Sequence, residues 1–311
     1  MAASSGKLSE LRTFIRAKPY LTMKELRFTY LTAQDVPELH QTFLEAFADY
    51  VVPIQLDAEQ FKAKLKREAV DPAFCVAAYH GSKIVGFILT GLGEWQGAPT
   101  AYNAGTGVLP AYRGQQLTQK LYTFMLSKLR ESGVENCLLE VIKGNEAAIK
   151  SYQHVGLQTT RTLDCFRTKK EELLLNVEAP VGIVITNVSK PDWELYQSFW
   201  DITPTWQNSV AAVKRSTGEN MVLEAKDQTE NVCGYTVVYP KSGAIAQLAV
   251  ARNHRNEGIG TALLREAVKF TQAPSLMCIN IDTAGTGVIS YLNQRYFKPI
   301  LQQYEMQMLI K

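Results

Sequence analysis

Residues Thr106–Thr118 read TGVLPAYRGQQLT, and residues Leu248–Gly260 read LAVARNHRNEGIG. Each stretch has the pattern of an apolar strand, a short turn, an arginine and the start of an amphipathic helix. The first turn of a helix carries N–H groups without intrahelical partners, at the positive end of the helix dipole. Both stretches therefore predict a site where a diphosphate can bind.

The small residues and cations of these stretches fit that role. Gly258 and Gly260 allow the backbone to approach phosphate oxygens closely. Arg113 and Arg255 begin the two loops and can each add a positive charge.

Outward from the first stretch, a strand, helix and strand over residues 101–142 predict a parallel pair with a right-handed crossover. The segments before it predict a strand at 26–31, helices at 35–50 and 57–69, and a hairpin of strands 74–79 and 84–90. The predicted fold is α/β, with a mixed, mostly antiparallel sheet and helices on both faces.

The same order of elements returns in the second half, which predicts a duplicated domain. Strands are expected at 181–186, 221–225, 233–239, 244–250, 276–281 and 304–309, and helices at 191–200, 257–271 and 287–294. We expect one domain over residues 23–177 and a second over 181–311. Residues 1–22 are read as a leader or extension outside the fold.

Composition restricts the function classes. The chain has 311 residues, 46% hydrophobic and 20% charged, with 33 basic against 30 acidic side chains. The net charge of +3 argues against nucleic acid as a partner, and no apolar run has membrane-spanning length. Five scattered cysteines predict neither a metal site nor disulfides. We expect a cytoplasmic monomer or homodimer.

The loop R-N-E-G-I-G at 255–260 resembles the R/Q-x-x-G-x-G/A diphosphate loop of the GNAT N-acetyltransferase superfamily. R-G-Q-Q-L-T at 113–118 is similar, with Gln116 and Thr118 at the two later small positions. The resemblance covers nearly the whole chain from about Lys24, once in each half. It implies two tandem GNAT-like domains and acetyl-CoA as acyl donor.

The resemblance also implies site residues. In the first half it assigns cofactor contacts to the loop and to the strand that precedes it, namely Gly107, Val108, Leu109, Arg113, Gly114, Gln116, Leu117 and Thr118. The stretch Gly107–Leu109 is also where the family places the β-bulge and the oxyanion donor. In the second half, Arg255, Gly258 and Gly260 take the corresponding places.

A second stretch, Leu138–Leu157, is similar to the family's strand, Asn, short helix, Tyr and Gly-hydrophobic ending. The resemblance implies that Asn145 contacts the cofactor and that Tyr152 donates a proton to the leaving thiolate. The residues allow this, because Asn145 is a good helix cap and Tyr152 lies two turns later on the same side. Cap and packing roles stand as alternatives.

The second half departs from this pattern. Aligning Phe297 with Leu157 places Leu292 opposite Tyr152 and Gly285 opposite Asn145. Tyr291 is about 100° away around the helix and is expected to point elsewhere. We therefore expect the N-terminal half to perform the chemistry and the C-terminal half to be degenerate.

Acetyl transfer to an amine needs a base for the ammonium proton. Glu94 is our first candidate, and Glu45, Asp49 and Glu140 are alternatives that the sequence does not separate. The aromatic and polar segment Ile202–Ser209 is expected either to cover an acceptor pocket or to place Trp206 in the core.

These features predict an acetyl-CoA-dependent N-acetyltransferase that acts by direct attack within a ternary complex. Its acceptor is a small-molecule or peptide amine of undetermined identity. The alternative is a non-catalytic acyl-CoA-binding or sensing protein, against which Asn145 and Tyr152 together argue. A ligase that takes its acyl group from aminoacyl-tRNA is disfavoured, because the chain lacks a basic run.

Overall fold

The computed structural model describes residues 26–50, 54–178 and 180–310. Within these ranges the chain forms twelve strands of one sheet and eight α-helices. The predicted extension over residues 1–22 lies outside the described residues. None of the helices in the described ranges has the length and apolar character needed to cross a membrane.

The elements of the N-terminal half follow the predicted order. They are β1 (Leu26–Tyr30), α1 (Val36–Ala46), α2 (Ala58–Arg67), β2 (Val76–His80), β3 (Lys83–Trp95), β4 (Ala98–Val108), α3 (Leu117–Glu131), β5 (Asn136–Ile142), α4 (Glu146–Val155) and β6 (Gln158–Lys169).

The C-terminal half repeats this order with shorter first helices. Its elements are β7 (Val184–Asn187), α5 (Trp193–Gln197), α6 (Val210–Arg215), β8 (Met221–Lys226), β9 (Val232–Tyr239), β10 (Ala244–Val250), α7 (Ile259–Phe270), β11 (Ser275–Asp282), α8 (Thr286–Gln294) and β12 (Lys298–Leu309).

Local side chains explain the helix starts. Thr32 and Asp35 form a capping box before α1, and Asp57 forms another with Gln60 at the start of α2. Gly156 ends α4 with φ +109°, a conformation that glycine adopts without steric cost.

Among the helix boundaries that differ from the prediction, two have a visible reason. Helix α1 stops at Ala46 and not near Tyr50, and the carbonyl of Ala46 accepts a hydrogen bond from the side chain of Arg113. The pattern from Gly114 onward also predicts a helix, but α3 begins only at Leu117, because Gly114 and Gln116 both have left-handed backbone conformations.

The sheet joins the two halves by exchanging their last strands. Its order is β1-β2-β3-β4-β5-β12-β6-β11-β10-β9-β8-β7. Strand β12 pairs with β5, β6 pairs with β11, and β6 and β12 pair with each other, all antiparallel. Each half therefore depends on a strand from the other for the continuity of its sheet.

Helices cover both faces of the sheet, as predicted. On β3, a side chain at Gly86 would meet Leu117 of α3, while the next residue, Phe87, contacts Phe43 of α1. Successive strand residues face opposite sides, so α1 and α3 lie on opposite faces. Phe61 of α2 packs on Phe43, and Tyr152 of α4 packs on Tyr122 of α3, so the helices pair as α1 with α2 and α3 with α4.

Candidate active site

Strands β4 and β5 separate part way along the sheet. Their parallel pairing covers only Thr100–Tyr102 against Asn136–Leu138, whereas β4 continues to Val108 and β5 to Ile142. A register shift between β3 and β4 leaves Ala104 unpaired as a β-bulge where the strands part. The facing edges beyond it form an opening in the sheet, which we call the β4–β5 opening.

The C-terminal half has the same feature. Strands β10 and β11 pair only at Ala244 and Met277, and the register shift against β9 leaves Ala246 unpaired. Ala246 holds the same position relative to its loop arginine as Ala104 does, since 142 residues separate each corresponding pair. The duplication predicted from the sequence therefore extends to the bulge.

The two loops after these strands share one backbone conformation despite different residues. Gly114 and Gln116 have φ of +76° and +58°. In the second half, Asn256 and Gly258 have φ of +64° and +90°. Gln116 thus adopts at steric cost the conformation that Gly258 adopts freely. In each loop the residue that caps α3 or α7 is left-handed, and the first-turn N–H groups follow it.

Arg113 and Arg255 brace the loops with their side chains. Arg113 donates to Asp49 at 2.6 and 2.9 Å and to the carbonyls of Ala46 and Val108 at 2.9 and 3.1 Å. The guanidinium is therefore already engaged within the protein.

The second half repeats the arrangement. Arg255 donates to Asp201 at 2.8 Å and to the carbonyls of Phe199 and Val250 at 2.9 and 3.1 Å. The predicted cation of each loop therefore holds the loop against the segment that follows the first helix of its half.

One group of polar side chains faces the β4–β5 opening from the α3–α4 side. The Asn103 amide donates to the Tyr122 hydroxyl at 2.6 Å and to the Thr106 hydroxyl at 2.8 Å. The Tyr152 ring lies 6.0 Å from that of Tyr122. Burial raises the pKa of Tyr152 to about 12, against an opposing effect of hydrogen bonding with Thr106 and Asn103. Tyr152 therefore holds its proton at neutral pH.

A second group faces the opening from the α1–α2 side. Glu140 lies on β5 two residues beyond the last residue paired with β4, and its Oε2 accepts a hydrogen bond from the Tyr102 hydroxyl. Its Oε1 is buried without a hydrogen-bond partner. Burial raises the pKa of Glu140 to about 8, with the charges of Glu305 and Glu68 adding to the effect. Such a carboxyl is tuned for proton exchange near neutral pH.

The other candidate bases lie elsewhere. Glu94 is exposed and pairs with Pro99, five residues along β3 from the rung at the bulge, or about 17 Å away. Glu45 forms an ion pair with Lys83. Hydrogen bonding from Arg113 lowers the pKa of Asp49, which leaves it a weak base. Glu140 is the candidate that the fold brings to the opening.

The predicted cofactor residues on β4 and α4 have only some of their hydrogen-bonding groups available for a ligand. The bulge lies at Ala104, not in the expected stretch Gly107–Leu109. Leu109 donates its N–H to Val85 of β3, and because strand N–H groups alternate in direction, that of Val108 points towards the opening. Asn145 caps α4 through Oδ1 at 3.2 Å, so its Nδ2 is the group left for a ligand.

Gly107 is required by packing. A Cβ there would lie 2.4 Å from the Phe87 ring and 3.0 Å from the Ala46 side chain. The role of this glycine in the structure is close packing of α1 on the sheet.

The C-terminal half contains a cavity of about 750 Å³ between β10, β11, α7 and α8. Gly258, Ile259 and Gly260, at the start of α7, line it. The turn before α8 repeats that before α4, with Gly285 donating to Asp282 as Asn145 donates to Ile142. Leu292 accordingly takes the place of Tyr152 and is buried. The alignment of the halves is thereby confirmed.

Tyr291 lies one position from the counterpart of Tyr152, and its side chain reaches the start of α7. Its ring lies 3.6 Å from the Cβ position of Gly260 and lines the cavity, and the Arg295 guanidinium is 5.2 Å from the ring centroid. The start of α8 turns this side chain towards α7, which a helical wheel alone does not show. Its hydroxyl is buried without a hydrogen-bond partner, as is Nδ2 of Asn280 on β11.

The segment Ile202–Ser209 crosses from one half to the other. The Trp206 ring stacks on that of Tyr102 at 5.1 Å and belongs to the core of the N-terminal half. Thr203 and Asn208 line the cavity of the C-terminal half. Trp206 therefore fills the core, while its neighbours contact both sites.

One group of possible metal ligands converges in the described part of the chain. Ligand atoms of Asp227, Cys233 and His254 lie within 4.8 Å of one another. Asp227 accepts hydrogen bonds from the turn at Thr229 and Asn231, and His254 contacts Glu257 at 3.3 Å. These polar groups are thus satisfied within the protein, and the absence of a metal remains a prediction.

Comparison with known proteins agrees with this fold. The model of the acetyltransferase (GNAT) family matches residues 36–157 and again residues 186–290. An N-alpha-acetyltransferase MAK3 of Arabidopsis thaliana is 30% identical over 106 residues, which is 32% of this chain and 56% of that protein. A mycothiol acetyltransferase of Streptomyces scabiei (strain 87.22) is 29% identical over 129 residues, or 40% of each chain. The chain spans about half the length of the curated relatives it matches.

Solved structures share the whole architecture. A tandem GNAT protein from the clavulanic acid biosynthesis pathway has a TM-score of 0.70 at 17% identity, over 92% of this chain and 99% of that one. A GCN5-related N-acetyltransferase from Sphaerobacter thermophilus has a TM-score of 0.71 at 14% identity, over 92% and 96%. These likenesses show the fold, and the two family matches show descent: the chain belongs to the acetyltransferase (GNAT) family.

Proposed function

We propose that the chain transfers an acetyl group from acetyl-CoA to a primary amine in the β4–β5 opening of its N-terminal half. The observation that carries this proposal is the placement of Tyr152 and Glu140 at the same opening from opposite faces of the sheet. A protonated phenol and a carboxyl with a raised pKa supply the acid and the base that amide formation from a thioester requires.

The chemistry follows from these two groups. The free Oε1 of Glu140 takes the proton of the incoming ammonium, and the amine nitrogen then attacks the thioester carbonyl. The Val108 N–H, which points into the opening, donates to the oxyanion. The carbon–sulfur bond breaks, and the Tyr152 hydroxyl gives its proton to the departing thiolate. The nitrogen loses its second surplus proton as the amide forms, and that proton restores the Tyr152 hydroxyl. Glu140 then releases its proton to solvent before the next cycle. Both reactants bind in one complex, so proximity contributes much of the acceleration.

The phosphate end of the donor belongs on the loop before α3. The N–H groups of Gly114, Gln116, Leu117 and Thr118 would hold the diphosphate, with Arg113 keeping the loop in place through Asp49. Nδ2 of Asn145 would add a contact at the start of α4. In this proposal Glu140 replaces Glu94 as the base, because Glu140 lies at the opening.

The C-terminal half would bind the same donor without chemistry. Its cavity has a size suited to a cofactor, and Arg255, Gly258 and Gly260 repeat the loop of the first half. Leu292 offers no proton where Tyr152 does. This half would then serve as an acyl-CoA-binding partner of the first.

The acceptor class proposed is a small-molecule or peptide amine, in line with the mycothiol and N-alpha-acetyltransferase names of the two curated relatives. Release of free CoA thiol, measured with acetyl-CoA and a panel of amines, amino acids and peptides, tests the proposal. A panel member should give product whose mass increases by one acetyl group. Binding of acetyl-CoA without turnover across the panel would favour the sensing alternative.

A further inference from the structure

The side chain of Gln207 reaches from the C-terminal half into the site of the N-terminal half. Its Nε2 donates to the Tyr102 hydroxyl at 2.9 Å, and that hydroxyl donates to Oε2 of Glu140. The two hydrogen bonds form a chain from the second half to the carboxylate. The other carboxylate oxygen, Oε1, has no partner.

Contacts with both halves fix the segment that carries Gln207. The Trp206 ring lies nearly parallel to that of Tyr102, at an angle of 9°, and its Nε1 donates to the carbonyl of Glu68 at 3.1 Å. Asn208 donates to the carbonyl of Ile279 in β11 at 2.9 Å. The amide of Gln207 therefore has a defined position against the Tyr102 oxygen.

We propose that Gln207 is a positioning residue, which directs the Tyr102 proton to Oε2 of Glu140 and so leaves Oε1 free for the acceptor's proton. The inference rests on the proposed function and extends it, since it makes the N-terminal site incomplete without the C-terminal half. A phenol whose oxygen accepts a hydrogen bond becomes a stronger donor, and its rotation is restricted.

Several charged groups surround Glu140 and act on its carboxylate in addition to the chain of hydrogen bonds from Gln207 through Tyr102. Glu305 lies opposite it on β12 and is paired with Arg161 of β6 at 2.5 Å, while Arg161 is 3.5 Å from Asp282 of β11. Glu68, which follows the last residue of α2, is paired with Lys64 and Arg67. The neighbours also include Tyr102 of β4, Cys165 of β6 and, near Glu68, Arg215 of α6 and Tyr239 of β9.

Removing the Gln207 amide weakens the hydrogen bond that favours the ionised form of Glu140. The acidic limb of the pH–rate profile should then move to higher pH, because Glu140 must lose its proton to act as a base. At high pH the rate should return towards that of the unsubstituted protein. A substitution that only loosened the fold would lower the rate at every pH and leave the limb in place.

The test compares Gln207→Leu with the unsubstituted full-length protein, using one acceptor amine and acetyl-CoA. We expect the acidic limb of kcat/KM to rise by about 0.5–1 pH unit, which lowers kcat/KM at pH 7 roughly 3- to 10-fold. Gln207→Glu keeps the shape but replaces the donor with a carboxylate, and should raise the limb further. Gln307→Leu is the matched control, since Gln307 bonds Asn136 across the same joint at 3.1 Å without touching Tyr102.

A second readout does not depend on turnover. Trp206 stacks on Tyr102, so its fluorescence should change with pH as Glu140 titrates. This change should be absent in Glu140→Gln. The pH at its midpoint should be higher in Gln207→Leu and the same in Gln307→Leu as in the unsubstituted protein. If the unsubstituted protein transfers no acetyl group, the proposed function fails while the fluorescence still tests Gln207. An unchanged midpoint in Gln207→Leu, or the lack of any midpoint in the unsubstituted protein, would overturn the inference.

Discussion

Tyr152 and Glu140 face the same opening between β4 and β5 from opposite sides of the sheet. Asn103, which contacts the Tyr122–Tyr152 group, follows Tyr102, which bonds Glu140, directly in sequence. Two neighbouring residues of one strand thus connect the Tyr152 side of the sheet to the Glu140 side. An acyl donor held on the α3–α4 side and an amine on the α1–α2 side would meet in the opening.

The first prediction concerns the acid. Tyr152→Phe removes the proton for the thiolate but keeps the ring against Tyr122, so kcat should fall about 100-fold, in the range found for general acids. Affinity for acetyl-CoA, measured by calorimetry, should change little. Tyr196→Phe is the control, because it removes a buried phenol bonded to Glu224 in the other half. Equal turnover for Tyr152→Phe and the unsubstituted protein would remove Tyr152 from this role.

The second prediction concerns stability and pH. The pKa of Glu140 is raised from its ordinary 4.5 to about 8 by burial, so between these values the folded protein retains a proton that the unfolded chain has lost. Stability from this group therefore falls as pH rises through that window. Glu140→Gln has no such proton, so its Tm should rise relative to that of the unsubstituted protein as the pH is raised from 5 to 8.5. A constant Tm difference across that range would contradict the pKa.

Reciprocal substitutions in the two loops form the third prediction. Gln116→Gly relieves a left-handed residue, and the relief exceeds the extra entropy of glycine in the unfolded chain, so unfolding should cost up to about 1 kcal/mol more. Gly258→Gln should be strongly destabilising, since a Cβ at Gly258 would lie 2.2 Å from the carbonyl oxygen of Glu178. Denaturant titration of both variants measures this. If both substitutions lowered the free energy of unfolding, the shared left-handed conformation of Gln116 and Gly258 would be contradicted.

The fourth prediction follows from the exchanged strands. In residues 1–177 alone, β5 loses its partner β12, and in residues 178–311 alone, β11 loses β6. Each fragment should aggregate or form multimers, because unpaired inner strands expose edges. Co-expression of both fragments should restore a soluble one-to-one complex. Two fragments that are separately monomeric and cooperatively folded would contradict the dependence.

The fifth prediction concerns metals. No metal is expected in the reaction, so treatment with EDTA followed by gel filtration should leave acetyl transfer unchanged. Elemental analysis of the purified protein should find less than one metal ion per chain. A stoichiometric ion would direct attention to Asp227, Cys233 and His254, and loss of the ion in Cys233→Ser but not in Cys75→Ser would locate it there.

Much of the fold could be predicted from the sequence because its signals are local. The capping pairs at Thr32 and Asp57 and the cap at Gly156 act within a few residues. The matching loops at 113–118 and 255–260 indicate the duplication directly in the sequence. The exchange of β6 and β12 could not be predicted, because it depends on which strand edges meet after folding, and the alternation of side chains is the same for either partner.

The site divides in the same way. Tyr152 lies in a stretch that resembles the family's strand, Asn, short helix and Tyr, and its ring packs on Tyr122 beside Asn103. Glu94 and Glu140 are both carboxylates on strands, and only the register of β3, β4 and β5 separates a distant residue from a near one. The roles of Tyr102 and Gln207 could not be predicted, since they depend on contacts with residues 38 and 105 positions away in the chain. The contact of Tyr291 with the cavity could not be predicted, because a helical wheel gives direction around a helix but not what faces it.

A crystal structure with a non-reactive analogue of acetyl-CoA tests the central claim most directly. We predict that the analogue lies in the N-terminal half, with its diphosphate at the start of α3 and its acyl sulfur in the β4–β5 opening within hydrogen-bonding distance of the Tyr152 hydroxyl. Occupancy of the C-terminal cavity alone, with the β4–β5 opening closed to the analogue, would contradict the claim.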